Sequence, residues 1–167
     1  MNIQPHLDKN SSSLVAELKE LMSKELPDDV RCIHVLVFRE GLPGIPFYIY
    51  FLNRFQSSAR GMKPFEPISE LGVLIDSPEY IDREEALVEY FDNEDESEFT
   101  YEEISDKYNS DNLAVAKWFS LCWKEAGGEF FNKPAFLSEE DGAFKTINLK
   151  TGSFISNSQE FSEVFDG

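Results

Sequence analysis

RCIHVLVFREGLPGIPFYIYFLNRF (residues 31–55) decides how the rest of the chain is arranged. Residues 31–38 are rich in β-branched and aromatic side chains and predict a strand. GLPGIP (41–46) supplies the Gly and Pro punctuation of a turn. FYIYFLNRF (47–55) predicts a second strand, apolar on both faces and therefore central in its sheet. The two form an antiparallel hairpin with a longer loop. GVLID (72–76) predicts a shorter third strand.

On the N-terminal side, Leu14, Leu18, Leu21 and Met22 recur at helical spacing until Pro27. The polar serines at 11–13 predict the helix start, and residues 1–10 are expected as a flexible tail. On the C-terminal side the pattern turns helical. Asp82 with Glu85 predicts one capping box, followed by an apolar stripe of Ala86, Leu87, Tyr90 and Phe91. Thr100 with Glu103 predicts a second, opening a short helix through Tyr108. A stronger helix follows residues 109–111, carries Leu113, Val115, Trp118, Phe119, Cys122 and Trp123, and closes at Gly127 and Gly128. AFLS (135–138) and AFKTINL (143–149) predict strands around the turn pair Asp141-Gly142, and SFIS (153–156) follows a further turn at 150–152. Ser156 with Gln159 predicts a last short helix ending at Phe165. No internal repeat and no Pro- or Ser-rich linker interrupts the pattern. The expectation is one α+β domain over residues 1–167, an antiparallel sheet packed against several helices.

Of the 167 residues 41% are hydrophobic and 14% aromatic, enough to bury a core despite the charge. That charge is −17, from 32 acidic against 15 basic residues. The sign disfavours nucleic acid, which is bound mainly through Lys and Arg on phosphates, and disfavours anionic membrane surfaces. It favours a basic protein partner, whose encounter it accelerates. The polar start MNIQPHLDKNSSS carries no secretory signal pattern, and no apolar run approaches the ~20 residues of a membrane span. A soluble, cytoplasmic protein is expected. Cys32 and Cys122 are the two cysteines, far apart and each inside an apolar pattern, which predicts buried free thiols without zinc or a disulfide framework.

The chain holds few candidates for catalysis. His6 and His34 are its two histidines; His34 falls inside the first strand, where a hydrogen-bonded structural histidine is expected. No G-x-S-x-G elbow appears, and GLPGIP lacks the Lys-Ser/Thr of a phosphate loop. Arg54, Arg60 and Lys63 cluster near the end of the second strand. They could grip an anion, or balance the acidic middle of the same domain.

The acidic middle is EYFDNEDESEFTYEEISD (89–106), nine carboxylates in eighteen residues without a Lys or Arg. Counting Asp92 as position one, Glu94, Glu96, Glu98 and Glu103 fall at positions three, five, seven and twelve of an EF-hand loop. Ser97 stands where that loop needs Gly, and the ligands at positions three and five are long Glu side chains in a loop that usually uses Asp or Asn. Neither a metal nor a cofactor is therefore expected. Glu84, Glu85, Glu102 and Glu103 fall in first turns, where carboxylates favour the helix dipole. Five acids in residues 92–98 have no such role. They are either a solvated loop or a docking surface.

WFSLCWKEAGG (118–128), followed by KPAFLSEEDGAFKTINLKTG (133–152), is similar to the C-terminal part of small bacterial proteins resembling immunity proteins of polymorphic toxin systems. The resemblance implies a compact, acidic, cytoplasmic α+β domain that binds a toxin domain, often a basic nuclease, without chemistry of its own. Asp92, Glu94, Asp95, Glu96, Glu98, Phe99, Tyr101, Glu102 and Asp106 are the expected partner-binding residues, acids beside aromatics. Alternatives are a small-ligand domain or carboxylate-based hydrolase using Arg54, Arg60 and Lys63, and a calcium-responsive module.

Overall fold

The computed structural model describes residues 3–37, 45–54, 57–58, 71–73, 100–139, 145–155 and 163–165. Strand β1 (Cys32–Val37) and strand β2 (Ile45–Arg54) pair antiparallel, with Val35 opposite Ile49 and His34 opposite Tyr50. That is the expected hairpin. Two short strands, β3 (Ser57–Ser58) and β4 (Leu71–Val73), both pair with β2, at its opposite ends. The expected strand at 72–76 is thus present through Val73; residues 74–76 lie outside the described part. So do the expected helix at 82–91, the Asp141-Gly142 turn, and residues 156–162 of the last helix, where a 3-10 turn is described at Glu163–Phe165.

Strand β5 (Ala135–Glu139) corrects the expectation of an antiparallel sheet, because it pairs parallel with β1, Val35 beside Leu137. The sheet is mixed. A parallel neighbour needs a crossover that returns the chain to the starting end. The helix between β2 and β5 lies within that connection. Strands β6 (Ile147–Asn148) and β7 (Ser153–Phe154) then add antiparallel, giving the order β3-β2-β1-β5-β6-β7 with β4 beside β2. The expected turn at 150–152 joins them: the Gly152 amide donates to the Asn148 carbonyl at 2.8 Å, and the Lys150 amide to Asn148 Oδ1 at 3.0 Å.

Helix α1 (Gln4–Ser23) starts before the serines, not after them. The flexible stretch 1–10 is corrected accordingly: residues 4–10 are helical, and Ile3 and Leu7 are buried. Short polar side chains inside a helix can return a bond to the carbonyl one turn back, so they need not mark its start. Asn10 Nδ2 donates to the His6 carbonyl at 2.7 Å, and Ser11 Oγ to the Leu7 carbonyl at 3.3 Å.

Helix α2 (Tyr101–Glu125) replaces the two helices expected on either side of residues 109–111. Asp111 is buried there, and its carboxylate meets Lys107 Nζ one turn back at 2.8 Å. This i, i+4 pair carries the helix through the polar stretch. Thr100 is the N-cap: its Oγ1 accepts from the Glu103 amide at 3.3 Å, and Glu103 Oε2 accepts from the Thr100 amide at 2.8 Å. Glu103 is therefore occupied with the cap, and Lys107 pairs forward with Asp111.

The apolar stripe of α2 packs with α1 over one sheet face. Phe47 lies 4.7 Å from Phe119 and 6.2 Å from Trp118, ring centre to ring centre, and Trp123 meets Phe131 edge-on at 6.0 Å. Trp118 Nε1 donates to Ser11 Oγ at 2.8 Å, tying the two helices together. At the C-terminus of α2, Gly127 takes φ +96°, and Gly128 backs directly onto the Trp123 indole, leaving no room for a Cβ. The first glycine turns the chain and the second lets it pass the ring.

Candidate functional site

Three of the expected partner-binding residues fall in the described part, all at the start of α2. Tyr101 is 46% exposed, and Glu102 and Asp106 are exposed beside it, while Ile104 turns into the core. The capping box sets where this turn begins and so fixes the direction of all three side chains. Bonds from the Thr100 amide and hydroxyl hold the Glu103 carboxyl below its ordinary pKa. Neither Glu102 nor Asp106 forms an ion pair among the described residues. What this turn can do is present one aromatic ring and two uncompensated carboxylates on a rigid frame. Asp92, Glu94, Asp95, Glu96, Glu98 and Phe99 lie outside the described residues, as do Arg60 and Lys63. Arg54 ends β2.

On the second sheet face a hydroxyl lies within hydrogen-bond distance of an imidazole. His34 Nε2 and Ser138 Oγ are 3.0 Å apart, and Ser138 Oγ is 2.8 Å from Thr146 Oγ1. The pair exists because β1 and β5 lie side by side, which places Ser138 beside Leu36 and one position from His34 on the same face. Burial pushes the imidazole down to about 4, so it is neutral at physiological pH. The ring thus has the hydrogen-bonded, half-buried setting expected of a structural histidine. Both thiols are pushed up by burial, Cys32 to about 12 and Cys122 to about 11, so neither is a ready nucleophile. Among the described residues no cluster of His, Cys, Asp or Glu could hold a metal ion, and no helix is long and apolar enough to cross a membrane.

Sequence reasoning missed two clefts of about 480 Å³ each. One lies where the end of α1 meets residues 130–133, with Lys24 and Lys133 balanced by Glu25 and Asp28. The other lies between α2 and the β6–β7 turn. Leu121, Leu149 and Phe154 line it, with Lys117, Lys124 and Lys150 around them. Half of this second cleft was visible as spacing: Lys117, Leu121 and Lys124 recur at four and three residues, one stripe on the side away from the tryptophans. The other half required the topology that brings β6 and β7 alongside.

No protein-family model, curated protein or solved structure matches this chain.

Proposed function

We propose that the protein is a non-catalytic acidic binding protein for a basic partner, most concretely an immunity-type protein that covers the cationic site of a toxin domain. The observation that carries this reading is the exposed Tyr101 followed by the exposed Glu102 and Asp106, which form no ion pair among the described residues, on a capped helix start. Aromatic anchors flanked by charge are the common currency of protein interfaces. This turn directly follows residues 92–98, with five acids of their own, and the whole chain carries −17. Such a surface attracts a basic domain at long range and then seats on it without a chemical step. A cytoplasmic location and the absence of nucleic-acid binding belong to the same proposal.

Affinity capture from the source cell, followed by stopped-flow association at two salt concentrations, tests it. A captured partner should be basic. Converting Glu94, Asp95, Glu96, Glu98, Glu102 and Asp106 to their amides should slow association at least about tenfold at low salt and leave dissociation nearly unchanged. Equal association rates for the parent and the variant, or an acidic partner, would overturn the proposal.

A further inference from the structure

The cleft between α2 and β6–β7 stands out by charge. In a chain with more than two acids per base, three lysines, Lys117, Lys124 and Lys150, gather around one apolar floor. Among the described residues, Glu129 is the one acidic side chain lining it. It reaches Lys124 at only 3.8 Å, with the Lys124 side chain 70% exposed, a contact easily exchanged. Lys117 and Lys150 form no ion pair among the described residues.

The floor is apolar for a topological reason. Ile49, Val35, Leu137, Ile147 and Phe154 form one row across β2, β1, β5, β6 and β7. The helices cover this row as far as Ile147 and stop short of its end. Phe154 is left 47% exposed, and Leu121 above it is 67% exposed.

We propose that this cleft binds a small amphipathic carboxylate, an alkyl chain or ring bearing one negative charge. Its apolar body lies on Leu121, Leu149 and Phe154, and its carboxylate meets Lys117 and Lys150. Charge decides among possible occupants. An acidic protein or a second copy of this chain would bring many negative charges into the field of a −17 molecule, whereas a monoanion meets the local lysines at little cost. The cleft's 480 Å³ lies within the range of small-ligand sites, which join an apolar lining to a few polar groups. The site is independent of the proposed partner surface. Leu121 is 20 residues along α2 from Tyr101, about 30 Å at the rise of an α-helix.

Decanoate, kept below its micelle concentration and titrated into the isotope-labelled protein, is the probe, with decanol as its uncharged control. Saturable one-site binding is expected, with the largest amide shifts at residues 117–124 and 149–154. Decanol should bind about tenfold more weakly, the loss of one charged contact. The double variant Lys117→Gln/Lys150→Gln should lower decanoate affinity about tenfold and leave decanol unchanged. Leu121→Gln, a change at an exposed position that preserves the fold, should weaken both. No saturable binding, equal affinity for the two probes, shifts centred on the other cleft, or concentration-dependent self-association abolished by Leu121→Gln would each overturn the proposal. None of these outcomes depends on a protein partner.

Discussion

The two faces of the sheet are built from adjacent residues of the same strands and behave as different materials. One carries Ile33, Val35, Val37, Phe47, Ile49, Ala135 and Leu137 and is sealed by the two helices through Phe119 and the tryptophans. On the other, one row runs Tyr50, His34, Phe136, Asn148 and Ser153, and the buried cluster is small: Cys32, Leu52, Phe136 and Ile155. The first face keeps its polar atoms few: Trp118 Nε1 donates to Ser11 Oγ, and Trp123 Nε1 is buried with no hydrogen-bond partner among the described residues. The second holds a titratable ring among hydroxyls. Stability should therefore concentrate on the first face, and its pH dependence on the second.

Trp123→Ala is the strongest way to break that contrast. The ring is fully buried, stacked near Phe119 and edge-on to Phe131, and its loss should cost about 3–5 kcal/mol in denaturant unfolding. Gly128→Ala attacks the same contact from the other side and should cost about 1–3 kcal/mol or more, since backbone and indole already touch. In a Trp123→Ala background the Gly128→Ala cost should largely vanish, because the space it needs is then open. Additive costs would mean that Gly128 matters for the turn alone.

His34 supplies the next effect. Its folded pKa of about 4 lies below the 6.5 of the unfolded ring, so between these values the unfolded chain binds more protons. Stability present above about pH 6.5 is thus lost as pH falls toward 4, by up to about 3 kcal/mol. Carboxylates titrate in the same window, so the difference between parent and His34→Gln isolates the ring. The parent should lose more stability from pH 7 to pH 4 than the variant. Parallel curves would show that His34 is solvated in the folded state.

How much of this was legible in the sequence depends on the range of the forces involved. The β1–β2 hairpin, the Thr100–Glu103 cap and the Gly127-Gly128 close were legible because neighbours a few residues apart create them. The parallel pairing of β1 with β5 was not, since it joins residues about a hundred positions apart, such as Val35 and Leu137, through a crossover that no local pattern specifies. Polar residues misled in both helices for one reason. Ser11 and Asp111 look like boundaries until Leu7 and Lys107 supply partners one turn away. At the candidate site, charge and aromatic content marked the start of α2, while the lysine cleft showed only its helical half, because Leu149 and Phe154 arrive from the β6–β7 turn and from β7 with no periodic link to it.

The smallest expected effect separates the two faces at a single hydroxyl each. Ser11 accepts from Trp118 Nε1 at 2.8 Å, and Ser138 lies 3.0 Å from His34 Nε2. Indole N–H is a donor and nothing else, and Trp118 is buried, so Ser11→Ala strands it and should cost about 1–3 kcal/mol. Imidazole can exchange its tautomer, and Thr146 sits next in the chain of hydroxyls, so the second face has a way to re-form a bond. Ser138→Ala should accordingly cost only about 0.5–1.5 kcal/mol, the ordinary net worth of a hydrogen bond. Chemical denaturation of the two variants at pH 7, where His34 is neutral, measures both. A Ser138→Ala loss equal to or greater than that of Ser11→Ala would show that the His34–Ser138–Thr146 chain is as rigid as the aromatic core, and the contrast between the faces would then be one of composition alone.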